Sequence, residues 1–406
     1  MKSKVLGFFL ISIFTFFLAN VPAVYAEKTI RIGVAAPLQQ EAGIGTKNTA
    51  VMATEEINAA GGILGHKIEL FFADDGARPE TGINAVKKLI FEDKVDLITG
   101  GWLSGVALAQ ADHIFAAKKL WLASGPGTPK LVEFVKKDYN RAKYFFRSGA
   151  LNSDNYAKDI AIFYVEFFKN KLGITKVALL PESSVWSREI SAYLESVLPQ
   201  KGFDIVYMDV FDPGQTDFSA QFSQIRKTGA KVLLAVQAVS PGVPLTKQWA
   251  DTKLPVHQAG YSAASQVFNF WDKTGGKCYG EVTQLVGGGR APITEKTIPF
   301  YDKYVKTFGI SPTFTAFGTY DSLYLLKTAA EKSQSLETDK LIKAIEKIKM
   351  RGVGGITAFD EYHELVYGEG GIQPVWAQWL GPKEMKVIFP FKWKTGEYIF
   401  PPWVKK

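Results

Sequence analysis

The chain has 406 residues, 47% hydrophobic and 22% charged, with a formal net charge of +8. That length suggests two or three domains of roughly 150 residues each, with apolar material for more than one core. The basic residues fall in short scattered runs such as Lys118-Lys119 and Lys136-Lys137, which argues against nucleic acid, and a single cysteine, Cys278, excludes an internal disulfide.

At the front, Met1-Lys2-Ser3-Lys4 leads into the uncharged apolar run Val5 to Leu18, then Pro22 and Ala23-Val24-Tyr25-Ala26. This order is that of an export signal cut after Ala26. A membrane anchor is the alternative, but the run is short for a span of ~20 residues and Asn20 and Pro22 interrupt its end. No cysteine near the cut offers a site for lipid attachment.

Behind the signal, strands and helices alternate. Ile30 to Val34, Ile68 to Phe72, Val95 to Ile98 and Leu120 to Ala123 read as strands. Helices are predicted over 44–60, 79–91 and 103–117. The rhythm restarts with a strand at 144–147 and a helix over 156–169. Strands at 176–180, 204–210, 232–236 and 255–258 follow, with helices near 187–198 and 217–227. A strand at 281–286 and helices near 296–308, 314–331 and 338–347 come next. A strand pair, 375–379 and 386–389, surrounds Gly381-Pro382. Such alternation indicates parallel sheets covered on both faces, in an α/β chain of two similar lobes.

Catalytic signatures are missing. The chain has no Gly-x-Ser-x-Gly elbow, no His-Glu-x-x-His and no complete phosphate loop. Its four histidines, His66, His113, His257 and His363, are far apart and lack ligand spacing. Neither an enzyme, a metal site nor a cofactor is expected.

The segment Glu55-Glu56-Ile57-Asn58-Ala59-Ala60-Gly61-Gly62-Ile63-Leu64-Gly65-His66-Lys67-Ile68-Glu69-Leu70, followed by Asp74-Asp75 and Pro79-Glu80-Thr81, resembles the first lobe of the leucine/isoleucine/valine-type periplasmic binding proteins of ABC transporters. Asp138-Tyr139-Asn140-Arg141, Phe145-Phe146-Arg147, Thr319-Tyr320-Asp321 and Phe359-Asp360 extend the resemblance over nearly all of residues 28–400. It implies the type I periplasmic binding protein fold, two doubly wound parallel-sheet lobes joined by three crossovers. Lobe one would hold 27–147 and 282–362, lobe two 148–281 and 370–406, with the third crossover at 363–369. It also implies a monomeric carrier in the periplasm that takes a small molecule from solution to the transmembrane subunits of an ABC permease. A sensor of the same fold, coupled to a membrane receptor, is the other reading.

Ligand would sit between the lobes, in loops after strand ends. Ser104 follows Gly100-Gly101-Trp102-Leu103, and its hydroxyl and the helix-start N–H groups suit a carboxylate; a simple helix cap is the plainer reading. Gly125, Gly127 and Thr128 lie in Ser124-Gly125-Pro126-Gly127-Thr128-Pro129, where either Gly127 or Thr128 matches the family's ligand threonine, unless the segment is an ordinary turn. Trp102, Trp186 and Tyr320 are aromatic candidates, with core packing as the alternative. The family's lobe-two acid, which pairs a ligand ammonium, is missing from Gly260-Tyr261-Ser262-Ala263; Tyr261 and Ser262 stand there instead. Glu182 or Asp321 would have to replace it, or the ligand is a carboxylate without an amine. Two family cysteines are replaced by Ala77 and Leu103.

Overall fold

The computed structural model describes residues 29–240 and 242–405. The export signal expected over 1–26 lies outside the described residues. The chain builds two sheets in succession. The first comprises β1 (Ile30–Ala36), β2 (Ile68–Asp74), β3 (Leu97–Gly100), β4 (Leu120–Ala123) and β5 (Phe145–Arg147), in the order β2-β1-β3-β4-β5 and parallel throughout. The second draws on β6 (Lys176–Pro181), β7 (Asp204–Met208), β8 (Val232–Gln237), β9 (His257–Ser262) and β10 (Val282–Leu285). After a small hairpin of β11 (Met350–Arg351) and β12 (Ile356–Thr357), β13 (Val375–Gly381) and β14 (Glu384–Phe389) complete it. Its order is β14-β13-β10-β9-β8-β6-β7, with β13 and β14 antiparallel.

Side chains of successive strand residues point to opposite faces, and both faces of each sheet are covered. Leu120 and Leu122 enter one apolar cluster, Trp121 and Ala123 another. In the second sheet Val232, Leu234 and Val236 face one way, Leu233 and Ala235 the other. β8 is buried along its whole length, as its run without charges predicts for an interior parallel strand.

The chain crosses between the lobes three times: after β5, after β10, and between β12 and β13. The sequence boundary put 282 onward in lobe one. The structure moves that boundary, because β10 pairs parallel with β9 and antiparallel with β13. The segment reads as a strand in either sheet; only its distant partners assign it. The strand expected over 255–258 runs instead over His257–Ser262. Four short α-helices, Lys130–Lys137, Tyr139–Ala142, Val243–Asp251 and Asn269–Thr274, fall outside the predicted elements, each being too short for a clear period. Cys278 is buried in an apolar cluster with Phe270 and Trp379.

One buried carboxyl ties the third crossover to lobe two. Asp159, on the helix Ser153–Phe163, accepts from Gln284 Nε2 at 2.8 Å, Trp376 Nε1 at 2.9 Å and the Tyr367 hydroxyl at 3.2 Å. Burial pushes its pKa up to about 6, against the pull of those three donors. Unfolded, the group releases its proton near ~4. Asp159 therefore favours folding most below pH ~4, and that contribution is lost as pH rises through its folded pKa of about 6. Asparagine has no proton to lose. Relative to the parent, Asp159→Asn is expected to gain stability between those limits, on the order of 2–3 kcal/mol, and then level off. Urea titrations across this range check it; a pH-independent difference would contradict it.

Candidate functional site

The carboxyl ends of both sheets face one another across the gap between the lobes. The segment after β3 passes through Trp102 and enters the helix Ser104–Ala116. The segment after β4 carries Gly125 and Gly127 into the helix Lys130–Lys137. From lobe two, the segment after β6 enters the helix Val185–Gln200, which places Trp186 in its first turn; Ser184 caps that helix by accepting from Ser187 N. Tyr261 comes from the end of β9 and Ala238 follows β8.

These residues, with Leu103, Tyr156 and Phe314, enclose a cavity of about 30 Å³. Trp102, Ala238 and Phe314 also wall an adjoining, wider depression of about 330 Å³. The inner space is far smaller than the ~300–1,000 Å³ of ordinary small-molecule pockets. A solute the size of an amino acid therefore enters only when the lobes part.

The aromatic side of the cavity is tightly assembled. Trp186 meets Tyr156 edge-on with centroids 5.0 Å apart, and Tyr261 at 4.7 Å and 58°. Tyr156 and Tyr261 meet at 5.6 Å and 84°. Such edge-to-face contacts are a favoured arrangement of aromatic pairs.

The glycine loop is held from behind by a buried charge. Arg147, at the end of β5, is fully buried and donates from Nη1 to the Pro126 carbonyl and from Nη2 to the Thr128 carbonyl at 2.7 Å. Its Nε stands 2.6 Å from Glu364, from the third crossover. The Gly127 carbonyl accepts from Ser153 N at 2.7 Å. Three successive carbonyls are thus fixed, the outer two by Arg147 of lobe one and the middle one by Ser153 of lobe two. Close packing requires its glycines: a Cβ on Gly125 would fall 2.0 Å from the Gly101 carbonyl oxygen, and one on Gly127 2.5 Å from Trp186 Nε1.

Six of the residues singled out from sequence, Trp102, Ser104, Gly125, Gly127, Trp186 and Tyr261, line the one cavity. The other five do not. Thr128 turns its hydroxyl to Glu189, at 2.9 Å, on the helix Val185–Gln200, making a bond between lobes. Ser262 is buried beside Gln237 and, as the strand neighbour of Tyr261, turns to the other face. Glu182 spends both oxygens on the backbone N–H groups of Val239 and Ser240, each at 2.8 Å, and burial raises its pKa.

Tyr320 and Asp321 were expected at the cleft, and the structure places them elsewhere. They share the helix Phe314–Ser333 with Phe314 but lie about 10 Å farther along it at 1.5 Å per residue. Tyr320 donates to Glu56, and the two Asp321 oxygens accept from Val353 N at 2.8 Å and Gly354 N at 3.1 Å. Both line a separate depression on lobe one, of about 400 Å³.

Sequence reasoning missed Tyr156, Phe314 and Glu189. Tyr156 and Phe314 sit at helical spacing among other apolar residues, which is how core positions also read. Among the described residues, no group of three or more metal-ligating side chains comes together, and no helix is long and apolar enough to cross a membrane.

The family model for periplasmic binding proteins matches residues 29–369. A Leu/Ile/Val-binding protein homolog of Brucella melitensis is 25% identical over 323 residues, covering 78% of this chain and 82% of that protein. The branched-chain amino acid transporter substrate-binding protein LivJ of Streptococcus pneumoniae, solved with isoleucine, superposes with a TM-score of 0.75 at 20% identity, covering 89% of this chain and 99% of that one. A solute-binding protein of an ABC transporter from Rhodopseudomonas palustris, solved with 3,4-dihydroxybenzoic acid, gives a TM-score of 0.71 at 22% identity, covering 90% and 99%. The solved structures are alike in fold, which is the type I periplasmic binding protein fold. All three proteins are named for binding or transport, not for catalysis.

Proposed function

This chain belongs to the periplasmic binding protein family, and we propose that it is an exported carrier that captures a small carboxylate-bearing solute between its lobes. The closed molecule then delivers the solute to an ABC permease in the membrane. The observation that carries the reading is the convergence of segments following β3, β4, β6, β8 and β9 on one cavity, with the Ser104 hydroxyl at a helix start on its wall. That hydroxyl makes no hydrogen bond with another described residue. The first N–H groups of the helix Ser104–Ala116 lack intrahelical partners and carry the positive end of its dipole, so an anion is favoured beside them.

The names of the relatives support a small solute. The Brucella protein is named for leucine, isoleucine and valine, and the Rhodopseudomonas structure holds an aromatic acid. Family membership supports periplasmic location and permease delivery in the same way.

The test is calorimetric. Leucine, valine, phenylalanine and benzoate are screened for a rise in melting temperature, since a solute that binds only the folded state must raise it. The most stabilising one is then titrated into the parent and into Ser104→Ala. The variant is expected to bind more weakly by ~1–3 kcal/mol. Equal affinity would remove Ser104 from the site, and a chain that no member of the screen stabilises would contradict the carrier reading.

A further inference from the structure

We propose that the solute is an aromatic carboxylate without an amine, an inference that rests on reading the interlobe cavity as the binding site. The cavity wall carries several side-chain donors and no carboxylate acceptor. Trp102, Trp186 and Ser104 each bring a side-chain donor, and none of the three side chains bonds to another described residue. An indole N–H can only donate. With the helix start at Ser104, the wall offers donors to an acceptor-only group, which is what a carboxylate is.

Nothing there complements an ammonium. No acidic residue lines the inner cavity. The nearby carboxylates are already committed. Glu182 accepts from two backbone N–H groups, and Glu189 accepts from Thr128 Oγ1 at 2.9 Å and Ser153 Oγ at 2.8 Å. At the outer mouth, Glu41 is paired with Lys273. Behind the glycine loop, Glu364 is taken up by Arg147, so that pair offers no free negative charge either. An ammonium closed into this space would lose its water and find no carboxylate on the wall to contact directly.

Aromatic faces can hold a cation in place of a carboxylate. Here Tyr156 meets Trp186 and Tyr261 edge-on, and Trp186 and Tyr261 are tilted at 58°, so the rings turn toward one another and do not form a box of faces around a central cation. The same arrangement suits a planar ring, which adds to the cluster by further edge contacts.

The experiment uses residues 27–406, freed of solute by unfolding in urea and refolding. Benzoate, 4-hydroxybenzoate and phenylacetate are compared by calorimetry with phenylalanine, leucine and 2-phenylethylamine. The expected result is that at least one amine-free acid binds at least about tenfold more tightly than phenylalanine or leucine, that 2-phenylethylamine gives no heat, and that Ser104→Ala weakens the acid. If phenylalanine or leucine binds as tightly as any amine-free acid, or if none of the acids binds, the inference is overturned. Two variants separate this from failure of the site itself. Loss of amino-acid binding in both Ser104→Ala and Trp186→Ala would keep the cavity as the site and discard only the amine-free class. Binding unaffected by either substitution would discard both.

Discussion

Replacing Arg147 with methionine is expected to lower the stability of the chain by about 3–5 kcal/mol, the usual result of removing one partner from a buried charge pair. The side chain is fully buried, and three separate groups depend on it: the carbonyls of Pro126 and Thr128 and the carboxyl of Glu364. Methionine fills much of the space but leaves Glu364 buried with no counter-charge. Burial already raises the Glu364 pKa, with the charge of Arg147 as the foremost opposing influence. Two of the three clamps on the glycine loop also vanish, so solute affinity is expected to fall with stability. Lysine at this position should recover only part of the loss, because a single ammonium cannot span two carbonyls and a carboxylate as a planar guanidinium does. Urea denaturation of the three proteins is the check, and a loss below ~1 kcal/mol for Arg147→Met would contradict the role given to this side chain.

Gly127→Ala is expected to cripple binding while sparing the fold. The added methyl would lie 2.5 Å from Trp186 Nε1 and 2.8 Å from its Cδ1. Those atoms belong to the opposite lobe, so the clash arises chiefly when the lobes close. The nearest other neighbour, the Leu151 carbonyl oxygen at 3.1 Å, requires only a small adjustment. Overpacking of this kind costs typically ~1–3 kcal/mol, which corresponds to an affinity loss of about tenfold to a hundredfold. Gly105→Ala is the matched control: nothing lies within 4 Å of its Cβ, and it sits in the helix Ser104–Ala116, where alanine is the better helix former. Calorimetric titration of both variants with the same solute decides the matter. Unchanged affinity in Gly127→Ala would mean that the loop does not meet Trp186 in the bound state.

The architecture was legible in the sequence wherever the pattern was local. Val232 to Val236, without a polar residue, could only be a strand covered on both sides, and it is buried throughout. Gly61-Gly62 stops the first long helix where a chain reversal is needed, both glycines having positive φ. Assigning Val282–Leu285 to a sheet was beyond local reading, because its antiparallel partner β13 lies about ninety residues on, and the segment itself does not say whether it pairs with β9 or crosses to the other lobe. The candidate site divides the same way. Ser104 and Trp186 follow strand ends directly, so the topology alone brings them to the cleft. Tyr320 and Asp321 belong to a helix that starts at the cleft and runs away from it, and a motif match does not encode that distance. In the sequence Arg147 is only part of a motif shared with the family; its burial and its pairing with Glu364, more than two hundred residues on, depend on the fold and were not legible.

The most direct measurement is a crystal structure of the chain with the solute that stabilises it most. Density for that solute is expected between Trp102, Ser104 and Trp186, with a carboxylate oxygen within hydrogen-bond distance of Ser104 Oγ and the lobes closed over it. Density instead in the lobe-one depression walled by Glu56, Phe300 and Tyr320, with the interlobe cavity unchanged, would contradict the assignment of the site.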